Sequence, residues 1–209
     1  VDGEAKKIAA VLDVVPRDAR VLVDGNGCWD VKEACSLIGL FSDGRIWWEE
    51  LCKTYEMNSD VAYKTGAPIL LDQCMQNLTS YVRACSDGFS KGVNIKLSHL
   101  GGLTVAKVAR DICVAHGISL KIDDSWSSDV NTAAALHLSL GVPEELLVGI
   151  CNLRGQFKEG ARFDGIDELP GYRLRPSNLP GLGLTNWKDK NQPVLFDLQK
   201  PGGNGKGIL

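Results

Sequence analysis

The chain has 209 residues, of which 44% are apolar and 23% are charged, and its formal net charge is −3 at pH 7. This length is sufficient for one domain with a hydrophobic core, and the composition is ordinary for a soluble globular protein. The small negative charge gives no electrostatic reason to expect nucleic acid or an anionic membrane as a partner. No apolar run is long enough for a transmembrane helix.

In chain order, apolar runs of strand length alternate with amphipathic segments that have the helical period. The predicted strands are 20–26, 45–50, 68–73, 92–98, 118–124 and 147–153. The predicted helices are 4–15, 30–40, 77–88, 103–117 and 128–141. The segment 156–209 is rich in Gly, Pro and Asn, and we expect it to be an irregular closing segment with a frayed end.

Strands that alternate with helices predict parallel pairing, which is found in open doubly wound sheets and in closed barrels. In an open sheet, functional groups gather at one switch point, whereas here almost every strand ends on an ionisable residue. Functional groups at many strand ends are typical of the carboxyl face of an α/β TIM-type barrel. We therefore predict a partial barrel domain over residues 1–186 and a flexible closing segment over residues 187–209.

Seven cysteines are scattered along the chain without a C-x-x-C pair. This spacing supports neither a zinc site nor a disulfide framework. We therefore expect reduced cysteines and a cytoplasmic protein.

Three acids end successive predicted strands: Asp24, Glu49 and Asp72. They are about one strand-helix unit apart, so neighbouring strands would place their carboxylates side by side. Three clustered carboxylates repel each other unless a cation lies among them, and hard oxygen ligands suit Mg²⁺. Each acid could instead cap the helix that follows its strand. At the second strand, side-chain alternation allows either Glu49 or Glu50, but not both, to point at the barrel centre.

Lys96 ends the fourth predicted strand at the same level as the acids. It is the only charged residue of an otherwise apolar strand, so it is a candidate for general acid/base chemistry beside the cation. The alternative is a lysine that extends its ammonium group into solvent at the barrel mouth.

Five motifs in order resemble the mandelate racemase and muconate lactonizing enzyme branch of the enolase superfamily: VLVDGNG, IWWEEL, PILLDQ, VNIKLSHLGGLTVAKVA and LPGLGL. The resemblance assigns Mg²⁺-ligand roles to Asp24, Glu49 and Asp72, and it selects Glu49 over Glu50. It assigns the acid/base role to Lys96. The resemblance implies a reaction that removes the proton α to a carboxylate and passes through an enediolate stabilised by Mg²⁺; the pairing of a lysine or histidine base with Mg²⁺ is an established feature of the superfamily and is not deduced from these residues.

Within that branch, the segment IDDSWSSDVNTAAALHLSLGVPEELL is most similar to the cis-3-hydroxy-L-proline dehydratases. The resemblance implies that Asp124 and Trp126 bind the substrate, with a rim aromatic and a helix cap as the structural alternative. It also implies a small amino or imino acid substrate, no nucleic acid or membrane partner, and a homo-oligomer when full length. Proline-betaine and dipeptide epimerases remain alternatives.

The sequence departs from the family pattern in two respects. The family's second lysine lies in a K-x-K strand before the first metal ligand, and no K-x-K precedes Asp24. Counted against the family, the predicted strands are the third to the eighth, without an N-terminal capping domain. We therefore expect these 209 residues to be a fragment without catalytic activity of its own, or a truncated, inactive barrel protein.

Overall fold

A computed structural model describes residues 2–123, 128–152, 163–171 and 173–186. Six parallel strands form one sheet in which every strand pairs with its neighbours along the chain. These strands are β1 (Val21–Asp24), β2 (Ile46–Glu49), β3 (Ile69–Leu71), β4 (Gly92–Lys96), β5 (Ser119–Asp123) and β6 (Leu147–Ile150). A strand is present within each predicted range, and each is shorter than predicted. The consecutive order is that of a barrel, because a doubly wound sheet reverses its order at a switch point.

The sheet curls so that its two edge strands, β1 and β6, line the same cavity. Leu22 of β1 and three residues of β6, Val148 to Ile150, line a cavity of about 170 Å³ together with Arg20 and Lys121. The described strands therefore form a partial TIM barrel, as predicted.

Helices connect the strands and cover the outside of the sheet. They are α1 (Asp2–Val14), α2 (Val31–Ile38), α3 (Tyr55–Thr65), α4 (Leu78–Asp87), α5 (Leu103–Ala115) and α6 (Asp129–Ser139). Helix α3 was not predicted from the sequence, because its apolar residues follow the helical period only weakly. Its ends carry clear signals: Thr54 caps the first turn by accepting from the Met57 N–H, and Gly66 ends the helix with a left-handed backbone. Among the described helices, none is both long enough and apolar enough to cross a membrane.

The hydrophobic core lies between the outer face of the sheet and the helices. Alternate strand residues such as Leu71, Ile95 and Ile122 are fully buried there against helix residues such as Ala106 and Ala109. Because side chains alternate along a strand, the residues between them point into the barrel interior. The core therefore fixes which residues reach the inner face.

The predicted irregular closing segment is wrong for part of its length. Strands β7 (Ile166–Leu169) and β8 (Arg173–Pro176) pair in an antiparallel manner. Ile166 is buried against Ala133 and Leu136 of α6, so a tertiary contact supports strands whose local composition is typical of a loop. Residues 187–209 lie outside the described part of the chain, and the flexible tail stays a prediction.

Candidate metal and proton-transfer site

Polar side chains replace apolar ones on the inner face toward the carboxyl ends of the strands. On β4, Val93 and Ile95 belong to the outer core, whereas Asn94 and Lys96 face the interior. On β5, Lys121 faces the interior between two core residues of the outer face. The alternation of the strands thus collects ionisable groups at one rim.

The three predicted metal ligands lie at this rim. Asp24 and Glu49 are register partners at the ends of β1 and β2. Asp72 directly follows β3, one residue beyond its last strand position. Asp24 is exposed, whereas Glu49 is fully buried and Asp72 is 3% exposed.

Two ammonium groups neutralise part of this negative charge. The Lys96 Nζ lies 2.7 Å from Asp72 Oδ2. The Lys121 Nζ donates to both carboxylate oxygens of Glu49, at 2.8 and 3.0 Å. It also lies 3.7 Å from Asp123 Oδ2. Lys96 is therefore paired with a carboxylate at the rim, and its side chain is only 18% exposed.

Asn94 joins the carboxylates in the centre of the cluster. Its side-chain amide nitrogen lies 3.0 Å from Asp72 Oδ1 and 3.4 Å from both Glu49 Oε1 and Asp123 Oδ2. Its amide oxygen is buried and has no hydrogen-bond partner among the described residues. A buried oxygen of this kind is commonly matched by a cation or an ordered water.

The electrostatic strain is largest at Glu49. Burial, with a smaller contribution from the charges of Asp24 and Asp72, raises the pKa of Glu49 to about 7 against the opposing effect of Lys121. Burial by itself would lower the pKa of Lys121, but the attraction and hydrogen bond of Glu49, with the charges of Asp123 and Asp72, together outweigh burial and raise it. A carboxylate that is this costly to ionise is stabilised by added positive charge.

The structure separates the two adjacent glutamates, as strand alternation requires. Glu50 is also buried, but its carboxylate accepts hydrogen bonds from the backbone N–H groups of Asp72 and Cys74, at 2.6 and 3.1 Å. Glu50 therefore holds the turn after β3, whereas Glu49 points into the barrel interior.

The strand-end acids do not cap the helices that follow them. The side chains of Asp30, Thr54 and Asn77 cap α2, α3 and α4 instead. The capping alternative for the three acids is therefore wrong.

Sequence reasoning missed Lys121 and Asn94. Lys121 is a single cation inside an apolar strand, the same signal that marked Lys96, and it precedes Asp123 by two positions, which places both on one face. Asn94 precedes Lys96 in the same way. Asp124 and Trp126, the predicted substrate-binding residues, lie outside the described residues, and their role stays a prediction.

The donor set fits Mg²⁺. The carboxylates of Asp24, Glu49 and Asp72 and the unpartnered amide oxygen of Asn94 are hard oxygen ligands of the kind this cation selects. Among the described residues, however, no group of three or more His, Cys, Asp or Glu side chains already stands in a metal-binding arrangement. The carboxylates would therefore have to rearrange around the ion.

Comparison with known proteins identifies the family to which this fold belongs. The family model described as "Enolase C-terminal domain-like" matches residues 1–190. The chain belongs to this family. Its relatives include enzymes with dehydratase, racemase and cycloisomerase activities.

Two curated relatives and one solved structure illustrate the range of the family. A cis-3-hydroxy-L-proline dehydratase from Roseibium aggregatum is 32% identical over 184 residues, which cover 88% of this chain and 50% of the relative. A hydrophobic dipeptide epimerase from Flavobacteria bacterium (strain MS024-2A) is 29% identical over 163 residues, covering 73% of this chain and 45% of the relative.

The solved structure is a candidate mandelate racemase/muconate lactonizing enzyme from Roseovarius nubinhibens ISM, complexed with magnesium. It has a TM-score of 0.78 and 29% identity, and the match covers 88% of this chain and 50% of that chain. The chain thus spans about half the length of the relatives that it matches.

Proposed function

We propose that this chain forms the catalytic barrel of an Mg²⁺-dependent enzyme in which Lys96 removes the proton α to the carboxylate of a small amino or imino acid. One observation carries the proposal: the Lys96 ammonium group lies 2.7 Å from Asp72 within a cluster of carboxylates at the barrel rim. Family membership supports it, since enolase-superfamily relatives share this barrel and a magnesium complex is known among them.

Asp24, Glu49 and Asp72 are the residues that would hold the metal. When bound there, Mg²⁺ supplies positive charge that neutralises the substrate carboxylate and makes its α-proton more acidic. Asn94 would orient Asp72 through its 3.0 Å hydrogen bond. Glu50, by binding the backbone of Asp72, would keep that ligand at the rim.

Lys96 is placed to move a proton. Its side chain is 18% exposed, so its ammonium group can be reached from the mouth of the barrel. After losing a proton to solvent or to a neighbouring group, its Nζ can accept the α-proton of a substrate. A positioned acid or base of this kind contributes about 10²- to 10⁴-fold to the rate.

We infer that the substrate is cis-3-hydroxy-L-proline and that the reaction is a dehydration, which would make the enzyme a hydro-lyase. Loss of the α-proton and of the β-hydroxyl would give an enamine, which tautomerises to a cyclic imine acid. The 32% identity to the Roseibium aggregatum dehydratase supports this substrate. We keep Asp124 and Trp126 as the proposed substrate-binding residues.

Epimerisation is the second candidate, because a dipeptide epimerase is 29% identical to this chain. The two reactions share the first proton transfer and differ in the fate of the resulting anion. A racemase or epimerase returns a proton to the same carbon, with a proline betaine or a dipeptide as substrate. Dehydration expels the hydroxyl group instead.

The test is exchange of the substrate α-hydrogen in D₂O with Mg²⁺ present, followed by NMR. Lys96→Ala should lose exchange by about 10²-fold or more while it still binds Mg²⁺. The matched control is Lys107→Ala, which removes an exposed lysine on α5. Appearance of a cyclic imine acid identifies a dehydratase, and inversion at the α-carbon identifies an epimerase. Exchange by Lys96→Ala at the wild-type rate would refute the proposed role.

The open sheet favours a further proposal, that the 209 residues alone turn over slowly or not at all. Within the described residues, β1 pairs only with β2 and β6 pairs only with β5. A chimera in which the Roseibium aggregatum relative supplies additional barrel strands should turn over at least tenfold faster than the chain alone. The activity assays therefore use the more active of the two proteins. Cytoplasmic location and a homo-oligomeric state stay predictions.

A further inference from the structure

The inner face of the barrel carries a second half-buried cation that the proposed reaction does not use. Lys121 lies on β5 beneath the rim, with its side chain 18% exposed. It is separated by 72 residues from its partner Glu49, so the fold alone brings the two together. The question is what this ammonium group does at a carboxylate that is a proposed metal ligand.

The contact uses both oxygens of Glu49. The Lys121 Nζ lies 2.8 Å from Oε1 and 3.0 Å from Oε2, and Glu49 is fully buried. The ammonium group occupies one lone-pair side of both oxygens, and its charge repels a second cation at the same carboxylate. Binding of a metal at Glu49 is therefore opposed by Lys121 in this position and favoured by its displacement.

A destination for Lys121 is already adjacent. Asp123 follows it by two positions on the same strand face, and Asp123 Oδ2 lies 3.7 Å from the Lys121 Nζ. A rotation of the lysine side chain would exchange one carboxylate for the other without exposing the ammonium group. Lys121 would thus remain paired in both arrangements.

The charge count supports such an exchange. On the inner face, the described residues place four carboxylates (Asp24, Glu49, Asp72 and Asp123) beside two ammonium groups (Lys96 and Lys121). The excess of two negative charges matches one divalent cation, provided that both lysines stay charged and nearby. Without Lys121 the excess would be three, which favours tighter binding of any cation.

We propose that Lys121 is a displaceable internal cation that occupies Glu49 until a divalent metal binds, then moves to Asp123, and so limits the affinity of the metal site. This inference rests on the proposed metal-ligand role of Glu49. It assigns Lys121 a positioning role at the metal site and no proton transfer. The stabilising contact of Lys121 with Glu49 and the binding of Mg²⁺ would then be in competition.

The experiment is Mg²⁺ binding measured by titration calorimetry on the EDTA-treated, dialysed chain. Lys121→Met removes the charge and keeps the length of the side chain, so Mg²⁺ should bind at least about tenfold tighter than in the wild type. Lys121→Arg keeps the positive charge, and its guanidinium group can form two parallel hydrogen bonds with one carboxylate. Mg²⁺ should therefore bind to Lys121→Arg more weakly than to the wild type. The control Lys107→Met removes the charge of an exposed lysine on α5, and it should bind Mg²⁺ with the affinity of the wild type.

Thermal unfolding gives a second readout that is independent of activity. In EDTA, Lys121→Met should melt below the wild type, because it leaves Glu49 buried without its partner. Saturating Mg²⁺ should reduce or reverse the difference in melting temperature between Lys121→Met and the wild type.

The outcomes separate this inference from the proposed function. Mg²⁺ binding by Lys121→Met that is equal to or weaker than that of the wild type overturns the inference, since a lysine that merely supports Glu49 predicts that result. If Lys121→Met does not fold, Lys121→Arg decides, and binding as tight as in the wild type would overturn the inference. Absence of Mg²⁺ binding in every variant, the wild type included, would remove the metal site and this inference with it.

Discussion

The outer and inner faces of the same strands differ sharply in what they bury. On the outer face of β4, Val93 and Ile95 are fully buried among apolar side chains. On its inner face, Asn94 and Lys96 contact carboxylates from neighbouring strands. The outer face gains stability from removal of apolar area from water, whereas the inner face buries charges at a cost. One strand therefore contributes stability on one side and polar groups of the candidate site on the other.

The largest effect on activity is expected on the inner face, at the proposed metal ligands. Glu49→Gln and Asp72→Asn should each lower turnover by about 10²-fold or more, because preorganised charge at the reacting group is lost. Circular dichroism should report a folded protein in both cases. EDTA should reproduce the loss in the wild type, and Mg²⁺ should reverse it.

The matched control for these ligands is Asp111→Asn, which removes an exposed carboxylate from α5. It should retain wild-type turnover. Full activity of Glu49→Gln or Asp72→Asn, or of the wild type in EDTA, would contradict the metal assignment.

A substitution on the outer face should lower stability and leave turnover nearly unchanged. Ile95→Ala removes a fully buried side chain next to Lys96 and should lower the free energy of unfolding by about 2–5 kcal/mol. Below its melting temperature the variant should keep kcat within a few-fold of the wild type, since Lys96 is not changed. Urea unfolding and steady-state kinetics on the same sample check both parts. A loss of turnover in fully folded Ile95→Ala would mean that the two faces are not separable.

Glu50 should give an effect between that of the inner-face carboxylates and that of the outer-face core, because it supports a proposed metal ligand without facing the barrel interior. Glu50→Gln weakens the hydrogen bonds that hold the backbone of Asp72 and Cys74, so we expect a loss of about 1–3 kcal/mol in the free energy of unfolding. Turnover should fall less than in Glu49→Gln, because Glu50 acts through Asp72. An equal or larger loss of turnover in Glu50→Gln would exchange the roles of the two glutamates.

The smallest effect is expected at the opposite end of β2, where Arg45 lies 2.7 Å from Asp43. The hydrogen bond that the Arg45 side chain donates to the Asp43 carboxylate lowers the pKa of Asp43 from 3.8 to about 2. The stability that this pair contributes is therefore present above pH 3.8 and is lost as the pH falls through about 2. Urea midpoints between pH 4 and pH 2 should fall less steeply for Asp43→Asn than for the wild type. If the urea midpoint changes with pH equally in both proteins, this half-buried pair adds nothing to stability.

Sequence alone determined the order of the strands and the residues that end them. The period of the apolar residues and the acids that end β1, β2 and β3 gave a parallel sheet with a polar rim, and the structure brings these residues together at that rim. Family motifs were needed to choose Glu49 over Glu50. Side chains alternate along a strand, but the sequence of a short strand does not show which set of alternate residues faces the barrel interior. In the structure, packing of Ile46 and Trp48 in the core turns Glu49 toward the inner face.

Only the tertiary structure decided which polar groups meet across the barrel. The contact of Lys121 with Glu49 spans three strand boundaries, and local sequence does not encode the curl of the sheet that creates it. Likewise, β7 and β8 form because Ile166 packs against α6, a contact that composition alone does not reveal. Local patterns report which face of an element is apolar, whereas long-range packing determines the partner of each buried charge.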